Sequence, residues 1–177
     1  MKYLLTTLAL LASIYVFYKG IPYVQYYYKM YTASSNGLNT KAPDVKAKTI
    51  DGKEWSIKSH LGKNIIVVFW SSYCPPCIRE FPYIQKVYDK YKDDDSVEIV
   101  TYSLDLSLDE KALKSYIAEK DINYPVLIDI YTADSEDNFA KKFEVFGAPS
   151  FWVIDKKGIV VASNRRSIED VLQFIEH

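Results

Sequence analysis

The sequence has very little sulfur and very little imidazole. Two cysteines, two methionines and two histidines occur in 177 residues. A structural zinc site built on Cys74 and Cys77 needs two further ligands. The chain offers only His60, in a polar loop, and His177, at the C-terminus, which sets zinc aside. Cu(I) on the cysteine pair would lack thioether support, because Met1 and Met30 both precede the folded domain. No metal or other cofactor is expected. The two cysteines also close too small a loop to staple a domain, so a reactive pair is the better reading. Charged residues are common but nearly balanced: the net value is −1, which gives no reason to expect a nucleic-acid partner. Internal repeats, long low-complexity tracts and a lipobox cysteine are all missing.

The first 32 residues hold Lys2, Lys19 and Lys29 and no acid. From Tyr3 to Tyr18 they are apolar, broken only by Thr6, Thr7 and Ser13. At about 1.5 Å per residue, this run is slightly short for a bilayer core of roughly 30 Å. Lys19 can snorkel, and tyrosines 15, 18, 23, 26, 27, 28 and 31 crowd the far end as an interfacial belt would. No clear small-x-small cleavage site separates the run from these tyrosines. Residues 1–31 are therefore expected to be an uncleaved membrane anchor, with a cleaved signal peptide as the alternative. Lys19 and Lys29 oppose a simple positive-inside assignment and leave orientation open. Residues 32–42 are small and polar and read as a linker. Residues 43–177 form the single domain.

Within that domain, Asp51-Gly52 between residues 45–50 and 54–57 predicts a hairpin. The apolar run 65–70 predicts a buried strand. A helical pattern follows over 75–92, with Pro82 predicting a kink. Strands are expected over 97–104, 124–128, 150–154 and 159–163, the last two around Lys156-Lys157-Gly158. Helices are expected over 108–119, over 135–143 with Phe139 and Phe143 on one face, and over 167–176 with Ser167 as cap. This alternation predicts an α/β fold: a mixed central sheet with helices on both faces, preceded by the hairpin.

Cys74-Pro75-Pro76-Cys77 lies between the buried strand and the helix that follows. The two-residue gap lets both sulfurs meet in one small disulfide ring. The helix start places the first sulfur over unpaired backbone N–H groups, where a thiolate is favoured. The inferred chemistry is thiol–disulfide exchange. Tyr73, Trp70, Pro75 and Phe146 are candidates for an apolar surface that meets extended partners, though Trp70 reads better as core.

Phe69-Trp70, Cys74-Pro-Pro-Cys77, Glu80-Phe81-Pro82 and Gly147-Ala148-Pro149, with Ala42-Pro43-Asp44 and Asp51-Gly52-Lys53, together resemble the thioredoxin superfamily. More closely, they resemble its TlpA-like branch, the membrane-tethered oxidoreductases of the ResA and CcmG types. The similarity runs from about residue 42 to 177 and includes an extra helix and strand absent from the minimal thioredoxin fold. The resemblance implies that Cys74 attacks and Cys77 resolves the mixed disulfide. It implies a cis bond before Pro149, with the backbone of Ala148 pairing to an extended substrate. It also implies that Glu80 accepts a proton from Cys77. Two departures stand out. Val68 replaces the aspartate that thioredoxins bury, and Tyr73 replaces a common tryptophan, which bears on substrate contact.

The expected protein is thus a membrane-anchored enzyme with its domain on the extracytoplasmic, periplasmic side. It would reduce protein disulfides, with a membrane thiol transporter returning the electrons. Cytochrome c maturation and repair of secreted cysteine pairs are the substrate settings the family offers. A disulfide oxidase or isomerase, and a Cu(I)- or thiol-protein-binding module, are the alternatives. A peroxiredoxin reading is set aside because the Thr-x-x-Cys context is missing.

Overall fold

Asp51-Gly52 closes a hairpin where the sequence places one. The computed structural model describes residues 13, 15, 17–22, 24–25, 37–105, 109–129 and 135–175. In it, strand β1 (Lys46–Thr49) pairs antiparallel with β2 (Glu54–Ser56). Gly52 takes φ 91°, a left-handed conformation open to glycine at no steric penalty. Its N–H donates to the Thr49 carbonyl at 2.8 Å.

Strand β3 (Asn64–Trp70) explains its own unbroken apolar run. All seven residues are buried. Ile66, Val68 and Trp70 face one core, and Ile65, Val67 and Phe69 face the other. A strand with both faces covered has no polar side to alternate with. Strand β4 (Val97–Ser103) runs parallel to β3, from Asn64 opposite Val97 to Trp70 opposite Ser103. Strand β5 (Val126–Ile128) runs parallel to β4. Strand β6 (Ser150–Ile154) pairs antiparallel with β3, and β7 (Val160–Arg165) antiparallel with β6. The order is β2-β1-β5-β4-β3-β6-β7.

Helix α1 (Pro75–Tyr91) buries Cys77, Phe81, Ile84 and Val87 on the Trp70 side of the sheet. Leu113 of α2 (Glu110–Glu119) joins that side. Phe139 of α3 (Phe139–Lys142) packs on the other, against Tyr102 at 4.7 Å between ring centres and Phe143 at 5.1 Å. Val171 of α4 (Glu169–Leu172) returns to the Trp70 side. The mixed sheet with helices on both faces is therefore present. Helix α1 continues through Pro82.

Three elements differ from expectation. The helix expected over 135–143 shrinks to α3, because Asn138 caps it by accepting from Lys141 N–H and the residues before it form a turn. The helix expected over 167–176 shrinks to α4. Ser167 still acts at its start: its hydroxyl accepts from Asp170 N–H, and the Asp170 carboxylate accepts from Ser167 N–H, a capping box. The strand expected from residue 124 begins at Val126, since Pro125 has no N–H to give a ladder.

Residues 1–34 and 35–177 form two units. In the first, the described residues 13, 15, 17–22 and 24–25 are helical. Among the described residues no helix is long and apolar enough to cross a membrane. The rest of the anchor expected over 1–31, and the linker up to residue 36, lie outside them, as do Leu108 and the C-terminal His177.

Candidate active site

Helix α1 opens with two residues that cannot donate. Cys74 is its N-cap, with φ −106° and ψ 97°, and Pro75 and Pro76 fill the first two helical positions. The first N–H of the helix therefore belongs to Cys77, and it donates to Cys74 Sγ at 3.2 Å. The sequence reading set the sulfur over several N–H groups. The prolines leave one, because each removes a donor. Cys74 and Cys77 are joined as a disulfide with Cα atoms 5.2 Å apart. Their access differs sharply: Cys77 is 1% exposed, whereas Cys74 is only half-buried. An incoming thiol or disulfide reaches Cys74 first.

The other expected residues fall around this pair. The Ala148–Pro149 bond is cis. Pro149 is buried, and Ala148 packs against the same apolar cluster as Cys74. Arg166 donates to the Pro149 carbonyl at 3.0 Å. Glu80 is half-buried on α1, and its Oε2 accepts from Ile168 N–H at 3.2 Å. The hydrogen bond recorded at this carboxylate thus goes to the start of the C-terminal segment rather than to Cys77. Tyr73 is 72% exposed, and Pro75 and Phe146 are exposed as well. Trp70 is core: it is buried, its Nε1 donates to Thr101 Oγ1 at 3.1 Å, and its ring meets Phe81 edge-on at 5.1 Å. His60 lies elsewhere, with Nδ1 at 2.9 Å from the Ser56 carbonyl and Nε2 at 3.5 Å from Glu98.

The sequence profile of the AhpC/TSA family matches residues 38–163, more than half of the chain. The chain belongs to the AhpC/TSA family. Within this family it is similar to the thiol-disulfide oxidoreductase ResA of Bacillus thuringiensis subsp. konkukian. The two are 32% identical over 124 residues, which is 70% of this chain and 67% of that protein. The solved structure of StoA from Bacillus subtilis superposes with a TM-score of 0.63 at 27% identity, covering 76% of this chain and 98% of that one. The thioredoxin domain of a thiol-disulfide oxidoreductase from Bacteroides vulgatus gives 0.66 at 25% identity, covering 78% and 98%. This member of the family is a ResA-type thiol–disulfide oxidoreductase of the thioredoxin superfamily.

The fold brings to this site polar groups that the sequence reading did not single out. Asp105, just beyond β4, accepts from Ser71 and Ser72 in the segment that leads into Cys74. Its signal was weak, one acid after a strand. Only the parallel register that sets Trp70 opposite Ser103 brings Asp105 beside Ser71. Arg166 and Ile168 were equally silent. Val68, where thioredoxins bury an aspartate, is fully buried among apolar neighbours. Glu80, the carboxylate expected to serve this site from the α1 side, accepts from Ile168 N–H instead.

Proposed function

We propose that this oxidoreductase reduces disulfides in secreted polypeptides, apocytochromes c among them. Its N-terminal segment 1–31 would hold it to the membrane, with the domain on the extracytoplasmic side. The observation that carries the reading is the unequal access of the two sulfurs at the start of α1. In the reduced protein the Cys74 thiolate attacks a substrate disulfide. A mixed disulfide forms and one substrate thiolate leaves. Cys77 then gives up its proton, with Glu80 as acceptor, and attacks Cys74 Sγ. The second substrate thiolate leaves, and the Cys74–Cys77 disulfide forms. Two electrons have passed to the substrate. A dithiol carrier in the membrane returns them. Exposed Tyr73 and Pro75, with the backbone of Ala148, would receive an extended substrate segment.

Two measurements test this reading. Cys74→Ser should abolish reduction of insulin disulfides, and retained turnover would sink it. The redox potential of the couple, set against glutathione or dithiothreitol buffers, decides direction. A value near about −270 mV supports a reductase, and one near about −120 mV makes the protein an oxidant.

A further inference from the structure

Helix α1 has little of its own with which to hold Cys74. Proline at its first two positions leaves a single N–H on the sulfur. Ile78 N–H holds the Cys74 carbonyl at 3.1 Å, and further bonds come from the segment in front. Cys74 N–H donates to the Ser71 carbonyl at 3.1 Å, and Tyr73 N–H to Ser71 Oγ at 3.3 Å. The placement of Cys74 therefore follows that of Ser71.

Ser71 and Ser72 are in turn fixed by one carboxylate. Ser71 Oγ donates to Asp105 Oδ1 at 2.7 Å. Ser72 N–H reaches Oδ2 at 2.9 Å and Oδ1 at 3.2 Å, and Ser72 Oγ donates to Oδ1 at 3.1 Å. Ser103 Oγ donates to Oδ2 at 3.0 Å. Two carboxylate oxygens offer about four acceptor sites, so these donors fill the group. Bonds to a charged acceptor are the stronger kind. Asp105 is itself fixed, since its N–H donates to Ser103 Oγ at the end of β4.

We propose that Asp105 is a positioning residue for the exchange reaction. By clamping Ser71 and Ser72 to the end of β4, it holds Cys74 Sγ over Cys77, a task that two missing helix N–H groups leave undone. The idea builds on the reading of Cys74 as the attacking thiol. Its physical content is local concentration: a clamped Cys74 lies close to Cys77, and ring closure is favoured.

The test is the equilibrium constant for forming the Cys74–Cys77 disulfide against glutathione, read by thiol alkylation in the full chain. It is paired with the rate of insulin reduction. Asp105→Ala should lower the constant about tenfold and slow reduction by a similar factor. Asp105→Asn, which keeps one carbonyl for Ser72 N–H, should recover most of both. Ser71→Ala with Ser72→Ala removes both hydroxyl donors but keeps the Ser72 N–H bond to the carboxylate, so it should show part of the Asp105→Ala loss, and the triple variant should be no worse than Asp105→Ala. Folded Asp105→Ala with an unchanged constant, or additive effects in the triple variant, would overturn the proposal. Should Asp105→Ala fail to fold, the serine pair decides alone: a wild-type constant there refutes the clamp. The constant reads the clamp even if protein disulfides are never reduced, so a failed function and a failed clamp remain distinguishable.

Discussion

Pro76 is a residue whose effect comes from what it lacks. The N–H groups of the second and third helical positions are the usual donors to an N-cap side chain. Here only the third, on Cys77, is present. Pro76→Ala restores the other. A thiolate at Cys74 would then gain a second donor and more of the helix-end field, on the order of 1 kcal/mol. The expected result is a Cys74 alkylation profile moved to lower pH. The couple should become more oxidising by about 20 mV, because the reduced form is the one stabilised. The pH dependence of Cys74 alkylation and the glutathione equilibrium both read this. A profile that stays put or moves to higher pH would contradict the account of the helix start. The cysteines were legible from the sequence because their spacing is local. Asp105 was not, because its partners Ser71 and Ser72 lie more than thirty positions away.

Short helices show where local pattern and tertiary packing part. The apolar spacing of Phe139 and Phe143 suggested nine helical residues, and four form. An isolated helix of that length does not persist in water, so its stability is tertiary. Phe139 supplies it. Its fully buried ring touches Trp55, Phe69, Tyr102 and Phe143, and its N–H donates to Asp129 at 2.8 Å. Phe139→Ala should cost about 3–5 kcal/mol, measured by urea unfolding, with α3 losing amide protection first. A cost under about 1 kcal/mol would mean that the aromatic cluster does not hold this element. The central strands, by contrast, were read nearly to the residue. A run buried on both faces, such as β3, carries its assignment in composition alone.

Across the whole molecule, stability is linked to alkaline pH. Tyr124 is buried, and its hydroxyl has no hydrogen-bond partner among the described residues. Burial raises its pKa above the ordinary tyrosine value, with the Tyr116 side chain adding to the shift. Burial likewise raises Tyr102, helped by its bond to Asp129. Both groups are more acidic in the unfolded chain. Neither group makes stability depend on pH below about pH 10, and stability falls as pH climbs above it. Tyr124→Phe removes an unpaired buried hydroxyl, which should raise stability at pH 7 by about 1 kcal/mol. It should also flatten the decline above pH 10. Chemical denaturation at pH 7 and at pH 11 tests both, and a variant less stable than the parent would show that the hydroxyl is paired.

The contrast between a 1% exposed Cys77 and a reachable Cys74 also gives the protein a built-in labelling signature. A bulky maleimide should add once to the reduced native chain and twice after unfolding in denaturant. The oxidised chain should take none in either state. Mass spectrometry of a single sample would then count folded dithiol, unfolded dithiol and disulfide as three separate masses. A second adduct on the native dithiol would mean that Cys77 is open to solvent once the ring is broken.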